Sequence, residues 1–127
     1  MSDYTITNLK EIDGSTDASS DIEARFGRKH LDSEHLGVSY FRYAPGFRNP
    51  MGHSHREQEE VYVVVSGSGR IKLNDEIVEL RQWDTVRVAP TTVRAFEGGP
   101  DGLEVVAIGA DRPEGGDGIR AEDWWTD

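Results

Sequence analysis

At 127 residues the chain is sized for one domain, and 35% hydrophobic residues supply one modest core. Its formal net charge of −10 opposes binding to nucleic-acid phosphates and anionic lipid, so neither is expected as a partner. The absence of cysteine excludes disulfides, thiolate metal sites and cysteine nucleophiles.

No apolar run approaches the length of about 18 residues that a spanning helix needs. The opening residues from Met1 to Ile6 lack a basic stretch followed by an apolar one, so the expected location is the cytoplasm. Lysine occurs only at Lys10, Lys29 and Lys72; the remaining cations are arginine.

In chain order, residues 5–9 (Thr-Ile-Thr-Asn-Leu) have the composition of a strand. Residues 14–20 read as a loop rich in Ser, Asp and Gly, and residues 21–26 as a short helical turn. Residues 38–43 are β-branched and aromatic and end at Pro45-Gly46, which predicts a strand. Residues 60–65 (Glu-Val-Tyr-Val-Val-Val) are the strongest strand signal, with a stop expected at the Ser-Gly-Ser-Gly of 66–69. Residues 70–73 and 76–80 form a predicted hairpin around Asn74-Asp75. Strands are expected over 85–88 and 92–96, a loop over 98–102, and a last strand over 103–107. A polar, Gly-rich tail follows over 111–118, and the chain closes with Trp124 and Trp125. Short, evenly spaced strands punctuated by Gly, Pro and Asn-Asp predict an all-β sandwich or barrel.

His53-Ser54-His55 places two imidazoles at alternate positions. On a strand these share one face, about 6–7 Å apart, and can converge on one ion. Glu60 opens the strongest strand, and a hairpin through 56–59 would lay that strand beside the histidines. Two histidines and a carboxylate suit zinc with an open position for water, or ferrous iron with open sites for oxygen and substrate. The plainer alternative is a pair of surface histidines in a polar loop. The longer pattern of Gly46 before the pair and Gly67 after Glu60 argues for ligands.

Gly46, His53-Ser54-His55, Glu60 and Gly67 together resemble the first conserved motif of the cupins, although the interval from Gly46 to His53 is one residue longer than usual. Glu59 fits the spacing to Gly67 less well, and alternation sends it to the opposite face. The resemblance covers about residues 36–110, leaving a polar N-terminal extension and a C-terminal tail within one domain. It implies a double-stranded β-helix, a small jelly-roll barrel, with a divalent metal ion (Fe, Mn, Ni or Zn) in its lumen. Homodimers are frequent in that family. It also implies action on, or binding of, a small molecule, with dioxygenase or isomerase chemistry among the possibilities.

The second cupin motif is altered. Trp83 stands at its glycine, Ala89 at its proline, Thr91 at its second glycine and Arg94 at its histidine, the usual fourth ligand. Arginine offers no lone pair to a metal. Three outcomes are open: Arg94 holds an anionic substrate beside a three-ligand metal, pairs with Glu60 in a metal-free binding barrel, or pairs outward with Glu97 or Glu57. Tyr62 and Arg94 are the candidate catalytic residues beside the metal ligands His53, His55 and Glu60. Tyr62 or Glu57 is available as a general base, and Arg42 as a second anion contact. Tyr40, Arg42, Tyr62 and Phe96 are expected to line the interior. Val64 should share the Tyr62 face, with Val61, Val63 and Val65 turned to the opposite layer or a partner subunit. His30 and His35 are expected to stay outside the site. Trp83, Trp124 and Trp125 are expected to pack a terminal segment or a partner rather than to stack sugars. Gly67-Ser68-Gly69 is a turn, not a phosphate loop, since no Lys and helix follow.

Overall fold

The computed structural model describes residues 3–16 and 19–127. Among them the β-branched and aromatic runs form strands β1 (Ser15–Thr16), β2 (Ile22–Phe26), β3 (Gly37–Tyr43), β4 (Gly52–His55) and β5 (Glu60–Leu73). They continue as β6 (Glu76–Arg81), β7 (Thr85–Val88), β8 (Arg94–Gly109) and β9 (Gly118–Ala121), with one helical turn, α1 (Arg28–Leu31). All pairings are antiparallel. The sheet runs β1-β2-β3-β8-β4-β9, and β5 branches to β6, β7 and β8. Strand β8 serves three neighbours: β3 along 103–109, β5 along both its halves, and β4 at Arg94. That sharing curls the sheet on itself as a jelly-roll barrel.

Strands β5 and β8 stay long because they bend where the sequence reads as loop. Between the pairs Gly67↔Leu103 and Gly69↔Gly98, four residues of β8 oppose the single residue Ser68 of β5. Gly67 takes φ 75° and Gly102 φ 82°, and a Cβ on Gly67 would lie 2.1 Å from the Gly102 carbonyl oxygen. Glycine there permits two backbones to cross at close range, and the expected stop at 66–69 and loop at 98–102 are bulged strand instead. The bulge also reverses parity. Tyr62 and Val64 are buried before it and Ile71 after it. Around them, Val88, Phe96, Leu103 and Val105 complete the core.

Other expectations need correction. Residues 5–9 form no strand, and Ile6 is exposed; no neighbouring strand is there to take their hydrogen bonds. Within residues 21–26, Ile22–Phe26 are strand, not a helical turn: β2 pairs with β3 from Ile22↔Tyr43 to Phe26↔Ser39. The alternation of Ile22, Ala24 and Phe26 was the signal for it. The tail also contributes a strand, β9, paired with all of β4. Tyr40 and Arg42 do not line the lumen. They lie on the other face of β3, where the Tyr40 hydroxyl donates to Glu104 and Arg42 Nε donates to Glu23 at 3.2 Å.

The terminal tryptophans pack the tail down. Lys72 Nζ sits 4.3 Å from the Trp124 ring centroid and donates to the Trp124 carbonyl at 2.6 Å. Arg48 lies 4.4 Å from the Trp125 ring and pairs with Glu97 at 2.5 Å and Asp127 at 2.9 Å. Trp83 is instead exposed. Among the described residues no helix is long and apolar enough to cross a membrane.

Gly67→Ala should lower unfolding free energy by about 2 kcal/mol or more, because the methyl has only backbone to displace and the left-handed conformation adds strain. Urea denaturation followed by near-UV circular dichroism measures it; a change below about 0.5 kcal/mol contradicts the crossing described.

Candidate metal centre

Alternation along β4 sends His53 and His55 to the lumen face. The four residues of β4 are held by β9, while only His53 pairs with β8, opposite Arg94. The backbone N–H of His55 donates to the Pro90 carbonyl at 2.7 Å. Glu60 begins β5 between Val88 of β7 and Gly109 of β8. Strands β4 and β5 therefore do not pair, contrary to the expected hairpin. The segment 56–59 carries the chain from one wall to another, and Glu60 meets the histidines across the lumen.

The three side chains do converge. One ligand atom from each of His53, His55 and Glu60 lies within 4.8 Å of the others. Glu60 Oε1 is 3.1 Å from His55 Nε2 and 3.6 Å from His53 Nε2. The same oxygen accepts from the Tyr62 hydroxyl at 2.7 Å and from Arg94 Nη2 at 2.5 Å. The Arg94 side chain is 0% exposed. Its Nε donates to the Tyr62 hydroxyl at 3.2 Å, and its Nη1 donates to the carbonyls of Thr92 at 2.8 Å and Pro90 at 3.2 Å. Of the three outcomes for Arg94, the structure places it on Glu60; Glu97 is taken by Arg48 and Arg70.

These contacts set the local charge. Burial alone would push the Glu60 carboxyl up. The close imidazoles of His53 and His55, the hydrogen bond from Tyr62 and the Arg94 charge outweigh it and hold Glu60 well below the usual carboxylate range. Burial, reinforced by the Glu60 charge, pushes the Tyr62 hydroxyl well above its ordinary value. The Tyr62 hydroxyl donates to Glu60 Oε1 and accepts from Arg94 Nε. Glu57 is exposed and is not among the residues lining the cavity.

Asp117 lay in a Gly-rich stretch that reads only as loop, and no spacing rule ties it to the histidines. Its Oδ2 accepts the backbone N–H groups of Glu57 at 2.7 Å and Gln58 at 2.9 Å, and its Oδ1 lies 2.8 Å from His55 Nδ1. Burial opposes its ionisation, but these donors bring its pKa down to about 2. A carboxylate only accepts, so His55 Nδ1 carries the proton and, in the neutral ring, Nε2 presents its lone pair. That Nε2 is buried without a hydrogen-bond partner, with Glu60 Oε1 3.1 Å away. The Glu60 carboxylate, against the cost of burial and aided by Asp117, raises the His55 pKa.

A divalent cation fits this arrangement: an orphaned imidazole nitrogen, its ring oriented by a carboxylate, faces an ionised glutamate and a second imidazole. The His53 side chain is 41% exposed against 12% for His55, so the group opens on the His53 side. It opens into a cavity of about 470 Å³ that Tyr43, Tyr62 and Phe96 also line. His30 and His35 are exposed and outside the group; His35 faces Asp111 at 3.2 Å.

Arg94→Met should destabilise the protein by about 3–5 kcal/mol, the range for stranding one partner of a buried pair. Adding Glu60→Gln should recover part of that loss. Chemical denaturation of the two single variants and the double variant reads the coupling, and strictly additive effects would refute it.

The model of the cupin domain family matches residues 39–108. No curated protein matches the sequence. Among solved structures, a cupin protein from Bacteroides fragilis aligns at TM-score 0.72 and 24% identity over 89% of this chain and 88% of that one. An oxalate decarboxylase from Bacillus subtilis aligns at TM-score 0.75 and 19% identity over 91% of this chain and 32% of that one. A DMSP lyase structure aligns at TM-score 0.69 and 20% identity over 80% of this chain and 53% of that one. The chain thus spans about a third of the decarboxylase and half of the lyase, and at these identities the likeness is one of fold. The match over 39–108 covers more than half of the chain, and with the barrel and its motif residues it places the protein in the cupin family.

Proposed function

We propose that this cupin holds one divalent metal ion between His53, His55 and Glu60 and uses it, as an enzyme, on a small molecule bound in the lumen. The carrying observation is the convergence of one ligand atom each from His53, His55 and Glu60 within 4.8 Å, with the His55 ring held by Asp117. When bound, the ion would supply Lewis-acid polarisation and open coordination positions, which suits dioxygenase- or isomerase-type chemistry. The protein's own residues then divide the work. Asp117 selects the His55 tautomer. Arg94 and Tyr62 are positioning residues that keep Glu60 ionised and aimed. The exposed edge of His53 leaves a path for substrate. The oxygen and imidazole donors accept Fe, Mn, Ni or Zn. Manganese gains support from the Mn(II) centres of the Bacillus subtilis oxalate decarboxylase, whose fold this chain shares.

A second reading has its own observation. Glu60 Oε1 is already served by Arg94 and Tyr62, as in a barrel that binds its small molecule without metal. A homodimer is proposed under both readings. The outward residues Val61 and Val63 of β5 face Ile108 and Val106 of β8 in register, an apolar strip suited to a second copy.

Protein purified without added metal should carry about one equivalent of a divalent ion by elemental analysis, and His55→Ala should carry none. Chelation should lower the melting temperature of the wild type. No metal, together with no effect of chelator, would establish the metal-free reading instead. Asp117→Asn should weaken metal binding by about 10–100-fold while leaving the barrel folded, as competition against a chelating dye would show.

A further inference from the structure

We infer that the lumen takes a small organic monocarboxylate with an apolar, ring-sized body, and that Arg120 is the residue that reads its carboxylate. This deepens the reading of the lumen as the substrate cavity and rests on it. A volume of about 470 Å³ falls within the span of small-ligand cavities, about 300–1,000 Å³.

The walls divide by chemistry. Ile22, Phe26, Phe41, Met51 and Phe96 supply apolar surface. Phe26 is 58% exposed, yet its ring stands edge-on to Phe41 with centroids 5.7 Å apart. A solvent-facing aromatic at a cavity wall provides contact area for an apolar ligand.

The charge of the cavity runs against that of the chain. The protein carries a net −10, but among the described residues lining the cavity Glu60 is the one carboxylate, and Arg94 neutralises it. Arg28, Arg112 and Arg120 line the same space. Arg28 is committed, since its Nη2 donates to the Ala110 carbonyl at 2.8 Å. The side chains of Arg112 and Arg120 make no hydrogen bond or ion pair with the described residues, whereas Arg25, Arg42, Arg48, Arg70 and Arg87 each hold a carboxylate.

Register singles out Arg120. It pairs with His53 across β9 and β4, and His53 pairs with Arg94 across β4 and β8. Cross-strand partners share a face with Cβ atoms about 4.5–5.5 Å apart. Arg94, His53 and Arg120 therefore form one row. Its buried end neutralises Glu60, and its exposed end offers an unclaimed guanidinium beside the open edge of the ligand group. One planar fork on a strand matches one planar carboxylate. A phosphate dianion would face apolar walls with too few donors to replace its hydration.

Titration calorimetry of the full chain with phenylacetate, phenylacetamide and acetate tests this, with metal content measured on every sample. Phenylacetate should bind about 10-fold or more tightly than either of the others, the range of a charge-assisted hydrogen bond for the amide comparison. Arg120→Gln should abolish the preference for the acid over the amide while leaving metal content and melting temperature as in the wild type; Arg120→Lys should retain part of it. Equal binding of acid and amide, no binding of phenylacetate, or a preference that survives Arg120→Gln overturns the inference. So does a preference lost in Arg112→Gln instead. An Arg120-dependent preference in metal-free protein would sink the metal reading and leave this one standing. Bound metal without the preference would do the reverse.

Discussion

A carboxylate placed inside a barrel must be compensated, and in this protein the compensation of Glu60 organises everything around it. Desolvating an ionised carboxyl costs several kcal/mol unless donors surround it. Arg94 and Tyr62 supply two of them on one oxygen. Arg94 is tethered in turn to the carbonyls of Pro90 and Thr92, so the turn before β8 is fixed by the same guanidinium that fixes Glu60. The usual cupin histidine at this place would bind an ion directly. Arginine instead pairs with Glu60 and holds it in the charged form.

The C-terminal segment belongs to this site rather than trailing from it. Strand β9 covers β4 along its whole length, Asp117 orients His55, and Arg112 and Arg120 line the lumen. Beyond β9, Trp124 and Trp125 are gripped by Lys72 and Arg48 through ring contacts and hydrogen bonds. Cation–π contacts and a buried lysine head group near a carbonyl give a short terminal stretch enough attachment to stay on the barrel. The orientation of His55 thus depends on a residue 62 positions further along the chain.

The bulged crossing of β5 and β8 plays a complementary part. Long strands that bend, rather than break, pass from one wall of the barrel to the other, and the glycines at the bend allow the backbones to touch. Glu60 at the start of β5 and Leu73 at its end therefore both belong to strand pairs with β8, at opposite ends of that strand. The lumen between them is where His53, His55 and Glu60 meet.

Much of this was legible in the chain itself. The apolar alternation and turn residues from 38 to 107 determined an all-β sandwich or barrel, because burial pattern and turn chemistry are local properties, and the resemblance of the histidine motif to the cupins pointed to the barrel. The spacing of His53, His55, Glu60 and Gly67 determined which side chains were candidate ligands. Arg94 in place of a histidine narrowed its role to ion pairing or anion binding, since a guanidinium has no lone pair. Tertiary structure alone decided the rest. That Arg94 turns to Glu60, that Asp117 holds His55, that residues 98–102 are strand and that Arg120 stands beside His53 all follow from contacts between distant segments. No local periodicity encodes a pairing of residue 117 with 55 or of 120 with 53; the closing of the sheet brings them together.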